Sequence, residues 1–101
     1  MLYMKTDVIF RKEKSGFFKG EIYALFPHEV ETLHGNVMYY AHIGQHTHAN
    51  YEWAIYTSVP ASPDEYANLK SELEDIGYEL NVIKKRNYKM YLESRKKLMN
   101  R

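Results

Sequence analysis

A chain of 101 residues, 45% hydrophobic and 27% charged, amounts to one globular domain and excludes wholesale disorder. It has no cysteine, which excludes disulfides, thiolate nucleophiles and zinc sites built on sulfur, and fits a reducing cytoplasm. The formal charge of +1 hides an asymmetry: residues 84–101 hold eight Lys/Arg against Glu93 alone, and the preceding 83 residues hold six against twelve Asp/Glu. A tail of net +7 therefore follows a body of net −6.

At the N-terminus, Lys5 and Asp7 interrupt "MLYMKTDVIF" too early for the apolar core of a signal peptide. No window approaches the ~18 apolar residues of a membrane span. A cytoplasmic protein without a membrane partner is the expectation. "KTDVIFR", residues 5–11, predicts a first strand with Val8 and Phe10 on one face, and "KEKSG" predicts a turn using Gly16. "GEIYALFP", residues 20–27, predicts a strand apolar on both faces and hence well inside a sheet. Pro27 cannot donate to a ladder and should end it.

A polar connection, "HEVETLHGN", leads to "VMYYAHI" at 37–43, whose β-branched and aromatic residues predict a third strand. "GQHTHAN" reads as a polar loop. In "YEWAIYTSV", residues 51–59, Tyr51, Trp53, Ile55 and Thr57 alternate as in a strand. Tyr51, Ala54, Ile55 and Ser58 also fit a helical turn, and the β-forming content favours the strand.

The clearest element is a helix at 62–76, about 22 Å long at ~1.5 Å per residue. Ser62 is its N-cap, Pro63 its first residue, Glu65 completes a capping box and Gly77 suits the left-handed position beyond its end. Tyr66, Leu69, Leu73 and Ile76 make one apolar stripe. "YELNVIKK" predicts a last strand. In the tail, Tyr88, Tyr91/Leu92 and Leu98/Met99 recur at near-helical spacing, with Arg95 interrupting the stripe. Such a helix would pack weakly or only against a partner, or the basic tail would fold back on the acidic body. The order β-β-β-β-α-β predicts an α+β fold: a single domain at 1–83 with a largely antiparallel sheet covered by one amphipathic helix, and a helical or disordered basic tail at 84–101.

The run "PASPDEYANLKSELEDIGYELNVIKK", with "DVIFR", "ALFP" and "HIGQH" upstream, resembles a group of small uncharacterised bacterial proteins associated with gut anaerobes and their mobile elements. The similarity covers most of residues 5–86. It implies no activity and no catalytic residue.

Three features bear on chemistry. His42, His46 and His48 fall within seven positions. In an extended chain His46 and His48 lie ~7 Å apart and can share an ion, but His42 and His46 lie ~13 Å apart. A helix joins His42 to His46 and excludes His48. Only a turn at Gly44-Gln45 would gather all three, with His28, His34 or Glu52 as extra ligands; an ordinary polar loop is the simpler reading. Catalysis lacks a setting: Ser15, Ser58, Ser62, Ser71 and Ser94 have no nucleophile turn, and Glu29/Glu31 and Glu72/Glu74 read as solvated faces. The basic tail is a candidate nucleic-acid surface, with Lys84, Lys85, Arg86, Lys89, Arg95, Lys96, Lys97 and Arg101 for phosphates and Tyr88 and Tyr91 for stacking on bases.

The leading expectation is a small non-enzymatic accessory protein that binds another protein or itself, since ten tyrosines, four phenylalanines and one tryptophan exceed what a small core needs. Nucleic-acid binding through 84–101 is the alternative, and a histidine-centred metal protein the third. No cofactor is expected.

Overall fold

A computed structural model describes residues 5–32, 36–41 and 45–100. β1 (Thr6–Glu13) and β2 (Ile22–Val30) form an antiparallel hairpin at the centre of the sheet, with Ile9 opposite Leu25 and Arg11 opposite Tyr23. β3 (Asn36–Ala41) continues the meander beside β2, and β4 (Gln45–Asn50) closes it as an edge strand. The other edge of β1 is shared. Its second half pairs antiparallel with β5 (Ser58–Pro60), and its first half pairs parallel with β6 (Leu80–Val82). The fold is α+β with a largely antiparallel sheet, as the element order predicts.

Strand parity sends alternate side chains to opposite faces. Val8, Phe10, Ala24, Phe26 and Tyr40 form one face, covered by Leu69 and Leu73 of α2 (Pro63–Ile76). Phe10 stacks on Tyr66 of that helix at 4.3 Å between ring centroids. Each fully buried Leu or Phe contributes about 2 kcal/mol of apolar transfer, which makes this layer the main clamp on α2. Ser62 caps the helix through the expected capping box, and Gly77 ends it at φ 121°. Ile76 departs from the predicted stripe and is exposed.

Ile9, Tyr23, Leu25 and Val37 form the opposite face. Here the prediction of a strand over 51–59 fails. Residues Tyr51–Tyr56 form a helix, α1, capped by Asn50, whose side chain accepts from the Trp53 N–H. Only Ser58–Pro60 is extended. Burial decides the outcome: Tyr51 and Ala54, three apart, both pack on this sheet face, and a strand would have turned Trp53 inward instead. The sheet is therefore covered on both faces. The predicted loop "GQHTHAN" holds β4, since an edge strand needs only one paired side and carries polar residues readily.

Pro27 does not end its strand. β2 runs on to Val30, and its register with β3 slips between Phe26 and Val30. The irregularity accommodates the missing N–H. Finally, the basic tail is helical: α3 (Tyr88–Met99) lies against the end of β2, with Tyr91 buried. It packs on its own sheet, not only on a partner.

Candidate interaction surfaces

Residues 14–21 project from the central hairpin between β1 and β2. Glu13 and Gly20 close the base, with the Gly20 N–H donating to the Glu13 carbonyl at 2.9 Å and the Glu13 N–H to the Glu21 carbonyl at 2.9 Å. Gly16 and Gly20 sit at φ 83° and 90°, a backbone that side chains disfavour. Between them stand Phe17 and Phe18, 96% and 62% exposed, edge to face at 5.1 Å. Two adjacent phenylalanines in a glycine-bounded turn have no role in the core.

The end of α1 lies beside this projection. The Lys14 N–H donates to the Thr57 carbonyl, and the Lys14 ammonium sits over the Tyr56 ring at 5.3 Å. Tyr56 stacks on Trp53, and the two are 70% and 66% exposed. One end of the molecule thus displays Phe17, Phe18, Trp53 and Tyr56 with Lys14 among them.

A largely buried network ties α1 and β5 to the sheet at that end. Arg11, on the α1 face of β1, donates from Nε to Ser58 Oγ at 2.8 Å and from Nη2 to the Ser58 and Ile55 carbonyls at 2.9 and 3.1 Å. Ser58 Oγ and the Tyr23 hydroxyl both donate to the Ala54 carbonyl. Burial pushes the Tyr23 phenol up, so it stays a donor. Arg11 thus occupies the carbonyl end of α1, which brings no basic residue of its own.

The tail residues separate into two sets. Arg86 lies over the rings of Tyr51, Tyr91 and Tyr88 at 4.4, 4.2 and 5.3 Å and donates to Glu52 Oε1 at 2.7 Å. Its N–H donates to the Tyr51 hydroxyl. Arg86 and Tyr91 therefore bind the body of the protein, and Arg95 is half-buried. Lys84, Lys85, Tyr88, Lys89, Lys96 and Lys97 remain exposed. Arg101 lies outside the described residues.

At the start of the helix, Asp7, His28 and Asn87 form a chain. Asp7 Oδ2 meets His28 Nδ1 at 3.0 Å, and the Asn87 N–H donates to His28 Nε2 at 2.7 Å. Asp7 Oδ1 accepts from Asn81 at 2.8 Å. An aspartate behind a histidine is the frame of a general base, and Ser94 lines the same groove of about 410 Å³. The nitrogen that would take a nucleophile's proton is already occupied by a backbone donor. Ser94 Oγ accepts from the Val30 N–H. This geometry fastens α3.

Of the three histidines, His42 lies outside the described residues, as does His34. His46 and His48 stand on β4, in register with Tyr40 and Met38. His48 is exposed, with Nδ1 2.9 Å from Asn36 Nδ2. Among the described residues no three metal-capable side chains converge. Two of the suggested extra ligands are engaged elsewhere, His28 with Asp7 and Asn87 and Glu52 with Arg86.

No family model matches this chain, and no curated protein or solved structure matches it either. Sequence reasoning did not single out Phe17, Phe18, Arg11 or the Asp7–His28 pair as functional or structural centres. "SGFFKG" was the one visible signal: bulky apolar residues where a turn should be polar.

Proposed function

We propose that this chain is a non-enzymatic binding protein that docks on a protein partner through Phe17, Phe18, Trp53 and Tyr56. The exposure of Phe17 and Phe18 at the tip of a hydrogen-bonded projection carries the reading. Trp and Tyr side chains are the residues that most often dominate interface energies, and the Trp53–Tyr56 stack stands next to the tip. Lys14 and Lys19 flank the phenylalanines, so the fitting surface is an apolar cleft with an acidic rim on a different protein. The proposal includes a cytoplasmic setting and the mobile-element association that the resemblance implies. Among the described residues no helix is long and apolar enough to cross a membrane.

A photoreactive residue at position 17, introduced in cells that make the protein, identifies the partner, and the complex is then rebuilt from purified components. Phe17→Ser with Phe18→Ser is expected to weaken that complex about 100-fold or more, the scale of a double hot spot. Its thermal stability should stay unchanged, since both side chains are exposed. Equal binding by this variant overturns the reading. A concentration-dependent dimer abolished by the same substitutions would replace the foreign partner with a second copy.

Nucleic-acid binding is the second reading. It is supported by the outward Lys89, Lys96 and Lys97 on α3, with Lys84 and Lys85 before it. It predicts a salt-dependent mobility shift lost on charge reversal of Lys89 and Lys96, and no shift at low salt removes it.

A further inference from the structure

We propose that His28 is a pH-operated latch, which holds the first turn of α3 on the sheet and lets it go when the imidazole takes up a second proton. A backbone N–H can only donate, so the Asn87 N–H, 2.7 Å from Nε2, requires a bare lone pair there. The single ring proton then sits on Nδ1 and donates to Asp7 Oδ2 at 3.0 Å. Asp7 is itself fixed by Asn81, its register partner on β6. Both ends of the chain thus specify one neutral tautomer.

Asn87 is a consequential place for such a contact. It is the N-cap of α3, its side chain accepting from the Met90 N–H, and its neighbour Arg86 carries the contacts to Tyr51 and Glu52. A proton at Nε2 replaces the acceptor with a second donor, and two N–H groups then face each other. Docking of Asn87 and protonation of His28 compete for the same lone pair.

The surroundings set which side acidification favours. Asp7, Lys5, Glu29 and Glu93 line the groove that His28 borders, Glu31 lines the adjoining one, and the exposed Lys97 stands at the rim of both. Asp7 touches the ring directly, and a proton at Nε2 leaves the Nδ1–H contact to Asp7 Oδ2 in place. The new charge is therefore accommodated where it stands, and the contact given up is the one to Asn87. Among the described residues, the other fastenings of α3 are Arg86 on its tyrosines and Glu52, and Ser94 on the Val30 N–H, none of which titrates near neutrality. The release is thus confined to the first turn.

Amide hydrogen exchange on the full chain, corrected for intrinsic rates, tests this between about pH 8 and about pH 5, the range in which an imidazole changes charge. Protection at Asn87 and Met90 should fall about tenfold on acidification, the worth of one hydrogen bond, while α2 stays unchanged. His28→Gln keeps an acceptor near Nε2 and cannot titrate; it should hold the turn closed across the range. Asp7→Asn removes the carboxylate that favours the imidazolium, so opening should shift to lower pH. A purely structural role for Asp7 would instead loosen α3 at every pH. Should either variant fail to fold, nitrogen-15 histidine spectra of the wild type give the protonation midpoint of His28 beside the exchange midpoint of α3. Coincident midpoints support the latch. Protection that does not change with pH, separated midpoints, or equal pH sensitivity in His28→Gln overturns it.

Discussion

Arg11 and Arg86 are both withdrawn from bulk solvent, yet they are held in opposite ways. Arg11 lies inside the sheet-to-helix layer and gives its N–H groups to Ser58 and Ile55, three bonds that tie β1 to α1 and β5. Arg86 lies at the rim, spreads over three ring faces and reaches one carboxylate that is itself largely exposed. Its Nη1, and Nε of Arg95 in α3, are buried with no hydrogen-bond partner among the described residues. The difference separates a cooperative core from an attached helix. Arg11 finds its acceptors in the adjoining α1 and β5, whereas α3 is fastened by aromatic faces and a few polar contacts. An element joined in that second way is the one able to come off locally.

The largest test of the comparison is Arg11→Met. It leaves the Ser58 and Ile55 carbonyls without their donor in a buried layer and should lower unfolding free energy by about 3 kcal/mol in urea titration. Arg86→Met keeps the contact with the rings but loses the charge. It should cost about 1 kcal/mol, with the loss concentrated in α3 exchange and little change in global unfolding. Equal global losses for the two would abolish the distinction.

The smallest effect is electrostatic. Lys12 hydrogen-bonds Glu65, the capping-box glutamate of α2, and with the Ser62 N–H holds its carboxyl down at about 2. A carboxyl lowered on folding adds stability above its ordinary range and loses it as pH falls toward that value. Lys12→Ala should return the Glu65 midpoint toward the ordinary carboxylate value in an NMR titration. An unchanged midpoint would assign the shift to the cap alone.

What the sequence made legible follows the same division. α2 was readable because Ser62, Pro63, Glu65 and Gly77 act within a few residues of one another, and Leu69 and Leu73 repeat at helical spacing. The segment 45–59 was not. "QHTHAN" carries no apolar alternation because β4 is an edge strand, and Tyr51, Trp53, Ile55 and Thr57 alternate without being buried alternately. The carbonyl end of α1 is occupied by Arg11, 44 residues away from Ile55, which no local window includes. The tail showed its charge and helical spacing. That Arg86 and Tyr91 face inward depended on Tyr51, Glu52 and His28 being nearby. Phe17 and Phe18 were in plain view, but their place in the proposed docking surface needed the extended hairpin and the α1 end beside it.

Trp53 makes the central claim directly measurable, because it is the only tryptophan in the chain and belongs to the proposed docking surface. On saturation with a partner that carries no tryptophan of its own, its emission should move to shorter wavelength and its quenching by acrylamide should fall to a small fraction of the free value. Emission and quenching identical in the free and saturated protein would contradict docking through this end.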